Sequence, residues 1–195
     1  MDPINIIVAI NLFVSMTANM SAAKKGMKSK LSNVVEKPKT YLQKVPPNVA
    51  ALILIATIAA IFDLGTMESE IKEQYDILRI IGLLLFIIFS WFQVSSFKYL
   101  GEFYSQDILI FKNHELKQNG PFKLIRHPQY VSQILSDLGV GIALMGYVII
   151  PAVILIELPL FILRARAEDK LLNKYFNEEF QKYKDKTGFF VPFLG

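Results

Sequence analysis

The chain has 195 residues, 53% of them hydrophobic, with no cysteine and a formal net charge of +4. Its apolar residues fall in long blocks rather than an amphipathic rhythm, which excludes an ordinary soluble domain and indicates an integral membrane protein. The missing cysteines exclude disulfides, thiolate metal sites and thiol nucleophiles. A small net charge with no basic, aromatic-interleaved stripe excludes a nucleic-acid partner.

The first apolar segment, residues 4–22, carries Asn5, Asn11 and Asn19. It lacks the charged start of a signal peptide, because the lysines follow the run. The expectation is a first membrane helix with its asparagines turned toward other helices. Residues 23–47 read as a polar loop with seven lysines against one glutamate. The second span, 49–62, is short for a bilayer that asks for about 20 residues, so it is expected to extend through Asn48 and Asp63 or to sit where the membrane thins. Residues 63–76 form an acidic loop whose one basic residue is Lys72, and 77–97 make a third span of ordinary length.

A polar stretch, 98–129, leads into residues 130–163, where Asp137 and Glu157 are the only charges. As one helix those 34 residues would reach about 50 Å, against a hydrocarbon core of about 30 Å. A tight hairpin of two short or tilted helices fits better, turning near Gly146-Tyr147 or just before Pro151. Residues 164–188 read as an amphipathic helix, followed by an apolar tail.

The fold expected is therefore all-α and integral to the membrane. It has about five transmembrane helices, the last two a tight hairpin, plus a C-terminal cytoplasmic amphipathic helix and no Rossmann fold. A single membrane domain, 1–195, would comprise three N-terminal spans (1–97) and a C-terminal half (98–195). Basic residues concentrate in the first loop, in 98–129 and in the tail, so five spans put all three on one side. By the positive-inside rule the N-terminus lies outside and the C-terminus in the cytoplasm.

Chemistry has few places to sit. The two histidines, His114 and His127, flank a Gly-Pro turn in "HELKQNGPFKLIRHPQY". They cannot alone make a metal site, and no histidine–carboxylate cluster supports one. In "RARAEDKLLNKYF", Arg164 and Glu168 stand i, i+4 on one helical face, with Arg166 and Asp169 a similar pair rotated around the helix. Either pair could be a plain surface ion pair. Arg164, however, is the first charge after the apolar run, where a guanidinium can fork a carboxylate or phosphate. Asp137 and Glu157 are either functional or helix-pairing groups. No G-x-G-x-x-G, P-loop or G-x-S-x-G appears.

The order and spacing of these elements, closed by "GFFVPFLG", resemble the isoprenylcysteine carboxyl methyltransferase family over about 80 residues, from His114 onward. The short N-terminal part looks like that of a compact prokaryotic member. The resemblance implies a membrane methyltransferase that uses S-adenosylmethionine, yields S-adenosylhomocysteine, and takes a lipophilic or lipidated substrate from the bilayer. It places His114, Leu116, Gly120, Pro121, Phe122, His127 and Tyr130 on the cofactor-binding motif and Arg164 and Glu168 on the catalytic positions. Arg164 would hold an acceptor carboxylate; Glu168 would bind the donor's amino group or orient Arg164. Two departures stand out: Ser132, where the family often has Gly, and Glu168-Asp169 in place of Glu-Glu. The C-terminal pattern is loosely shared with phospholipid N-methyltransferases and membrane sterol reductases, which would use an amine acceptor or a nicotinamide cofactor.

Overall fold

The computed structural model describes residues 2–27 and 34–194, so part of the lysine-rich first loop, 28–33, lies outside the described residues. In chain order the elements are α1 (Pro3–Met27), β1 (Val34–Glu36), α2 (Val45–Ile61), α3 (Ser69–Gln74) and α4 (Asp76–Leu100), then β2 (Ile110–Phe111), α5 (Pro128–Ala143), α6 (Ile149–Ala152), α7 (Leu158–Phe176) and α8 (Glu178–Lys184). Three stretches among the described residues are long and apolar enough to cross a membrane: Pro3–Ser21, Tyr41–Ile61 and Asp76–Phe103. Their outer faces expose Ile10, Phe13, Leu52, Ile55, Ile77 and Leu84, the surface of a protein solvated by lipid.

The asparagines of α1 do face other helices. Asn5 donates to the Ile61 carbonyl at 3.0 Å, Asn11 to Ser90 Oγ at 3.0 Å, and Asn19 to Gln93 Oε1 at 3.0 Å. Such bonds fasten helices in lipid, where apolar burial gives little net attraction, at about 0.6 kcal/mol each.

The second span grows at its N-terminal end, not through Asp63. Pro46 and Pro47 fit a first helical turn, where no amide donor is needed, and a 3₁₀ turn (Tyr41–Gln43) leads in. Asp63 adopts a left-handed φ of 64° and stops the helix. The acidic loop folds as α3, whose Lys72 is buried and paired with Asp63 at 2.5 Å. The first polar loop is not wholly irregular either, since β1 pairs antiparallel with β2.

α4 and α5 form the most extensive helix–helix contact. A Cβ on Gly139 would lie 2.6 Å from the Phe86 amide nitrogen, and one on Gly82 would lie 2.6 Å from that of Ala143. Glycine is what lets these backbones meet. The hairpin turns between Ala143 and Ile149, with Met145 at φ 53°. α5 has 16 residues, about 24 Å of rise. The return arm runs through α6, a π-helical turn (Val153–Glu157) and α7. Pro159 has no N–H for a carbonyl one turn back, and the wider π turn directly precedes it.

The C-terminal helix departs from expectation. It is not separate from the hairpin: α7 carries the return arm past Arg164 to Phe176, breaks at Asn177 (φ 46°), and α8 stops at Lys184 rather than at Gly188. Asn tolerates the left-handed conformation that such a break requires.

Candidate active site

The polar segment before the hairpin is shaped by its own sequence. Gly120 sits at φ 59° in a 3₁₀ turn, and a Cβ there would lie 2.5 Å from the Tyr99 ring. The turn drives Phe122 inward, where Tyr183 Oη donates to its carbonyl at 2.6 Å. Next the chain lies alongside the tail. The Arg126 amide donates to the Gly188 carbonyl at 2.9 Å, and the Gly188 amide donates to that of Leu124 at 3.1 Å. The two ends of the resemblance are thus one structural unit. Pro128 then opens α5 in its first turn.

Two charged dipeptides interlock across this unit. Arg126 is buried, donating to the Thr187 carbonyl at 2.7 Å and to Asp169 Oδ2 at 3.2 Å. His127 Nε2 lies 2.7 Å from Asp169 Oδ1, and its Nδ1 lies 3.5 Å from Glu168 Oε2. The His127 ring stacks on Tyr130, with centroids 5.6 Å apart. Burial alone would push the imidazole pKa down, but Asp169 and Glu168 outweigh it and raise it. Burial would raise both carboxyls, yet His127, together with Arg164 for Glu168 and Arg126 for Asp169, holds them below their ordinary values.

Asp169 is therefore not the partner of Arg166. The i, i+3 rule on an isolated helix gave that pairing; the tertiary fold aims Asp169 at Arg126 and His127 instead. Nor does Arg164 close on Glu168 as a surface pair. Arg164 is buried, and its Nε donates to Tyr130 Oη at 2.9 Å. Nη1 donates to the carbonyls of Leu42 at 2.5 Å and Gln43 at 3.3 Å, and Nη2 to that of Gln106. Four of its five N–H groups are spent on neutral acceptors, and among the described residues it has no carboxylate within ion-pair distance.

Around these groups lies a cavity of about 250 Å³, lined by His114, Leu116, Phe122, His127, Tyr130, Arg164 and Glu168 among others. Gly120 and Pro121 shape the turn behind it and do not line it. His114 packs between Phe103 and Phe111, with centroids 5.2 and 5.9 Å away, and its Nδ1 accepts from the Phe111 amide at 3.4 Å. Ser132 is buried and donates to the Gln129 carbonyl at 3.1 Å. Glu168 Oε2, whose nearest cation is His127 Nδ1 at 3.5 Å, and Gln129 Oε1, which has no hydrogen-bond donor among the described residues, are buried acceptors lining the cavity. Gln43, Gln106 and Gln129 had no distinguishing mark in the sequence, and Asp169 was marked there only as a partner of Arg166 and as the second acid of the Glu168-Asp169 pair. The one available signal was charge complementarity between Arg126-His127 and Glu168-Asp169.

The profile of the phospholipid methyltransferase family (PEMT) matches residues 77–179, the stretch from α4 to the start of α8. The chain belongs to this family. It is 25% identical over 165 residues to the uncharacterized protein YpbQ of Bacillus subtilis, covering 84% of this chain and 94% of that one. It is 26% identical over 117 residues to the protein-S-isoprenylcysteine O-methyltransferase of Saccharomyces cerevisiae, covering 59% of this chain and 49% of the relative. The chain thus spans about half the length of the yeast protein. Its fold matches that of the eukaryotic intramembrane Ras methyltransferase ICMT with a TM-score of 0.68 at 20% identity, covering 98% of this chain and 68% of the other. This member of the phospholipid methyltransferase family has three helices apolar enough to cross a membrane among its described residues, and the yeast relative and the fold neighbour are methyltransferases.

Proposed function

We propose that this protein is a methyltransferase that uses S-adenosylmethionine to methylate the carboxylate of a lipid-bearing acceptor, isoprenylcysteine-like in class. The observation that carries the reading is a buried Arg164 with no carboxylate in ion-pair distance among the described residues, in one cavity with the acceptors Glu168 Oε2 and Gln129 Oε1. Such a cavity wants an anion near Arg164 and donors near Glu168 and Gln129. A cofactor with an ammonium group on its amino-acid end and ribose hydroxyls supplies the donors, and a carboxylate acceptor supplies the anion.

When bound, S-adenosylmethionine offers a methyl group on a sulfonium, open to in-line displacement. The chain's part is to align and to exclude water. His114, Phe122 and the apolar Leu116 would wall the adenosine end, with Gly120 and Pro121 fixing the turn that presents Phe122. Glu168, held ionised by His127, would accept from the donor's ammonium. His127, clamped by Asp169, would position Glu168, and Tyr130 would position Arg164. Arg164 has one N–H left on Nη2, so it would hold the acceptor by a single bond and its charge. That leaves the acceptor's second oxygen free to attack. A carboxylate is ionised near pH 7, so no general base is needed. Phospholipid N-methylation remains the second reading on the strength of the family's name. It would require a group to take the amine's proton.

The cavity end carries Lys112, Lys117, Lys123, Lys174 and Lys182, and the opposite end carries Asp63, Glu68, Glu70 and Glu73. This favours a cytoplasmic C-terminus and an outer N-terminus, with residues 1–195 acting as one membrane unit. Calorimetry on detergent-purified protein tests the reading. S-adenosylhomocysteine is expected to bind and NADPH is not, and Glu168→Gln should weaken the first by roughly tenfold. NADPH binding without S-adenosylhomocysteine binding would overturn it.

A further inference from the structure

The cavity that holds Arg164 adjoins a second one of about 310 Å³, and Tyr104 lines both, together with Ala50, Gln93, Phe97 and Gln133. The two glutamines at this junction are occupied. Gln93 accepts from Asn19 at 3.0 Å and donates to Gln133 at 2.5 Å, and Gln133 donates to Asp137 at 2.6 Å. The Tyr104 phenol is not: among the described residues its Oη has no hydrogen-bond partner. Its ring is nevertheless partly buried and set against Phe97, with centroids 4.6 Å apart. A hydroxyl fixed on a cavity wall and left without a partner is a donor for whatever fills the cavity.

The segment that carries this phenol also holds Arg164. Tyr104 follows the 3₁₀ turn Gly101–Phe103 at the end of α4, and its amide donates to the Gly101 carbonyl at 3.3 Å. Two residues on, the Gln106 carbonyl accepts from Arg164 Nη2. The guanidinium is near enough to act on the phenol: burial pushes the Tyr104 pKa up, and Arg164 opposes that rise. The phenol therefore keeps its proton near pH 7 and can donate. Tyr130, the other phenol at Arg164, already accepts from its Nε.

Resting on the methyltransferase reading, we infer that Tyr104 is a second acceptor-binding residue, whose Oη donates a hydrogen bond to the carboxylate that Arg164 holds. One N–H from Arg164 leaves a carboxylate free to swivel. A single carboxylate oxygen has two lone pairs. With Arg164 and Tyr104 on the same oxygen, the other is turned toward the methyl donor. The new bond forms at that second oxygen, the methyl–sulfur bond breaks with its electron pair left on sulfur, and no proton of Tyr104 moves. Tyr104 thereby selects for an acceptor that carries a carboxylate.

The test compares N-acetyl-S-farnesylcysteine with N-acetyl-S-farnesylcysteamine, which differ only by that carboxylate. Binding is read in lipid nanodiscs, with S-adenosylhomocysteine present, by displacement of the radiolabelled cysteine compound. Tyr104→Phe keeps the ring against Phe97. It should weaken the cysteine compound by about tenfold or more, the range of one hydrogen bond to a charged group, and change the cysteamine compound less than twofold. Equal weakening of both compounds would make Tyr104 a packing residue and overturn the inference. So would weakening of neither, or no binding of the cysteine compound by the wild type. Calorimetry with S-adenosylhomocysteine on the same preparations reports separately on the methyltransferase reading: binding there with no Tyr104 effect sinks this inference alone.

Discussion

Two arginines, each 2–3% exposed, sit at opposite ends of the molecule and are treated in opposite ways. Arg79, beside the acidic loop, is neutralised: it pairs with Asp2 and with Asp76 at 3.2 Å, and its Nε donates to the Ala143 carbonyl at 3.1 Å. Lys72 and Asp63 repeat the arrangement nearby. Arg164 is held as firmly, but by carbonyls and a phenol, so among the described residues its charge has no counter-ion in contact. A buried ion pair can be structural without any ligand. A buried, fixed guanidinium beside a cavity with no carboxylate in contact is costly for structure alone, so the difference separates a fastener from a site.

The comparison breaks if the two arginines respond alike to substitution. Arg164→Lys keeps the charge but loses the planar fork that fixes it. Methyl transfer should fall by roughly 100-fold or more, about 2.7 kcal/mol of transition-state stabilisation. Arg79→Met should do the reverse. It should cost about 2–4 kcal/mol of stability by removing buried ion pairs and a hydrogen bond, with activity per folded molecule changed less than threefold. Melting curves and methyl transfer on the same two preparations decide it. A Lys at 164 that retains activity within threefold would return Arg164 to the structural class.

A pH series sharpens the contrast next. The raised His127 pKa stabilises the fold fully below its ordinary 6.5, and that stability is lost as pH rises through the folded-state value. Glu168 and Asp169 are lowered, so their contribution is present above the ordinary 4.5 and 3.8 and is lost as pH falls through their folded-state values. At the other end, the Lys72 hydrogen bond lowers Asp63, whose contribution disappears only on acidification. The melting temperature should therefore form a plateau between about pH 4.5 and 6.5 and decline on the alkaline side. His127→Gln should remove that alkaline decline and shrink the acid limb to what Arg164, Arg126 and the Lys72–Asp63 pair sustain. An unchanged alkaline limb would place its cause elsewhere.

How much of this could be read from residues follows the same division. Block lengths gave the spans, and 34 nearly uncharged residues required a hairpin, because hydrophobic thickness is a one-dimensional constraint. β1 was invisible, because its partner β2 lies some 75 residues away and neither is longer than three residues. Arg164 was legible as a position, the first charge after the apolar run. Its ligation was not, because carbonyls of Leu42, Gln43 and Gln106 belong to every residue alike and leave no mark in a sequence. Asp169 was misassigned to Arg166 for a related reason: helical spacing is visible in a sequence, whereas a contact with Arg126 some 40 residues upstream is not.

The smallest expected effect concerns Glu157, which the sequence left between function and helix pairing. It is fully buried, and among the described residues neither of its carboxyl oxygens has a fixed hydrogen-bond donor. The Asp137 carboxyl faces it across the hairpin. Gln133 donates to Asp137, and the two facing carboxyls can meet only by sharing a proton. Glu157→Gln replaces that shared proton with a fixed N–H donor toward Asp137 at nearly constant volume. It should stabilise the protein by about 1 kcal/mol, the usual value of one added hydrogen bond, with methyl transfer unchanged within twofold. Glu157 also lies outside the lining of both cavities, which is why no loss of activity is expected. A folded Glu157→Gln protein with activity reduced more than tenfold would move Glu157 from helix pairing into the working machinery.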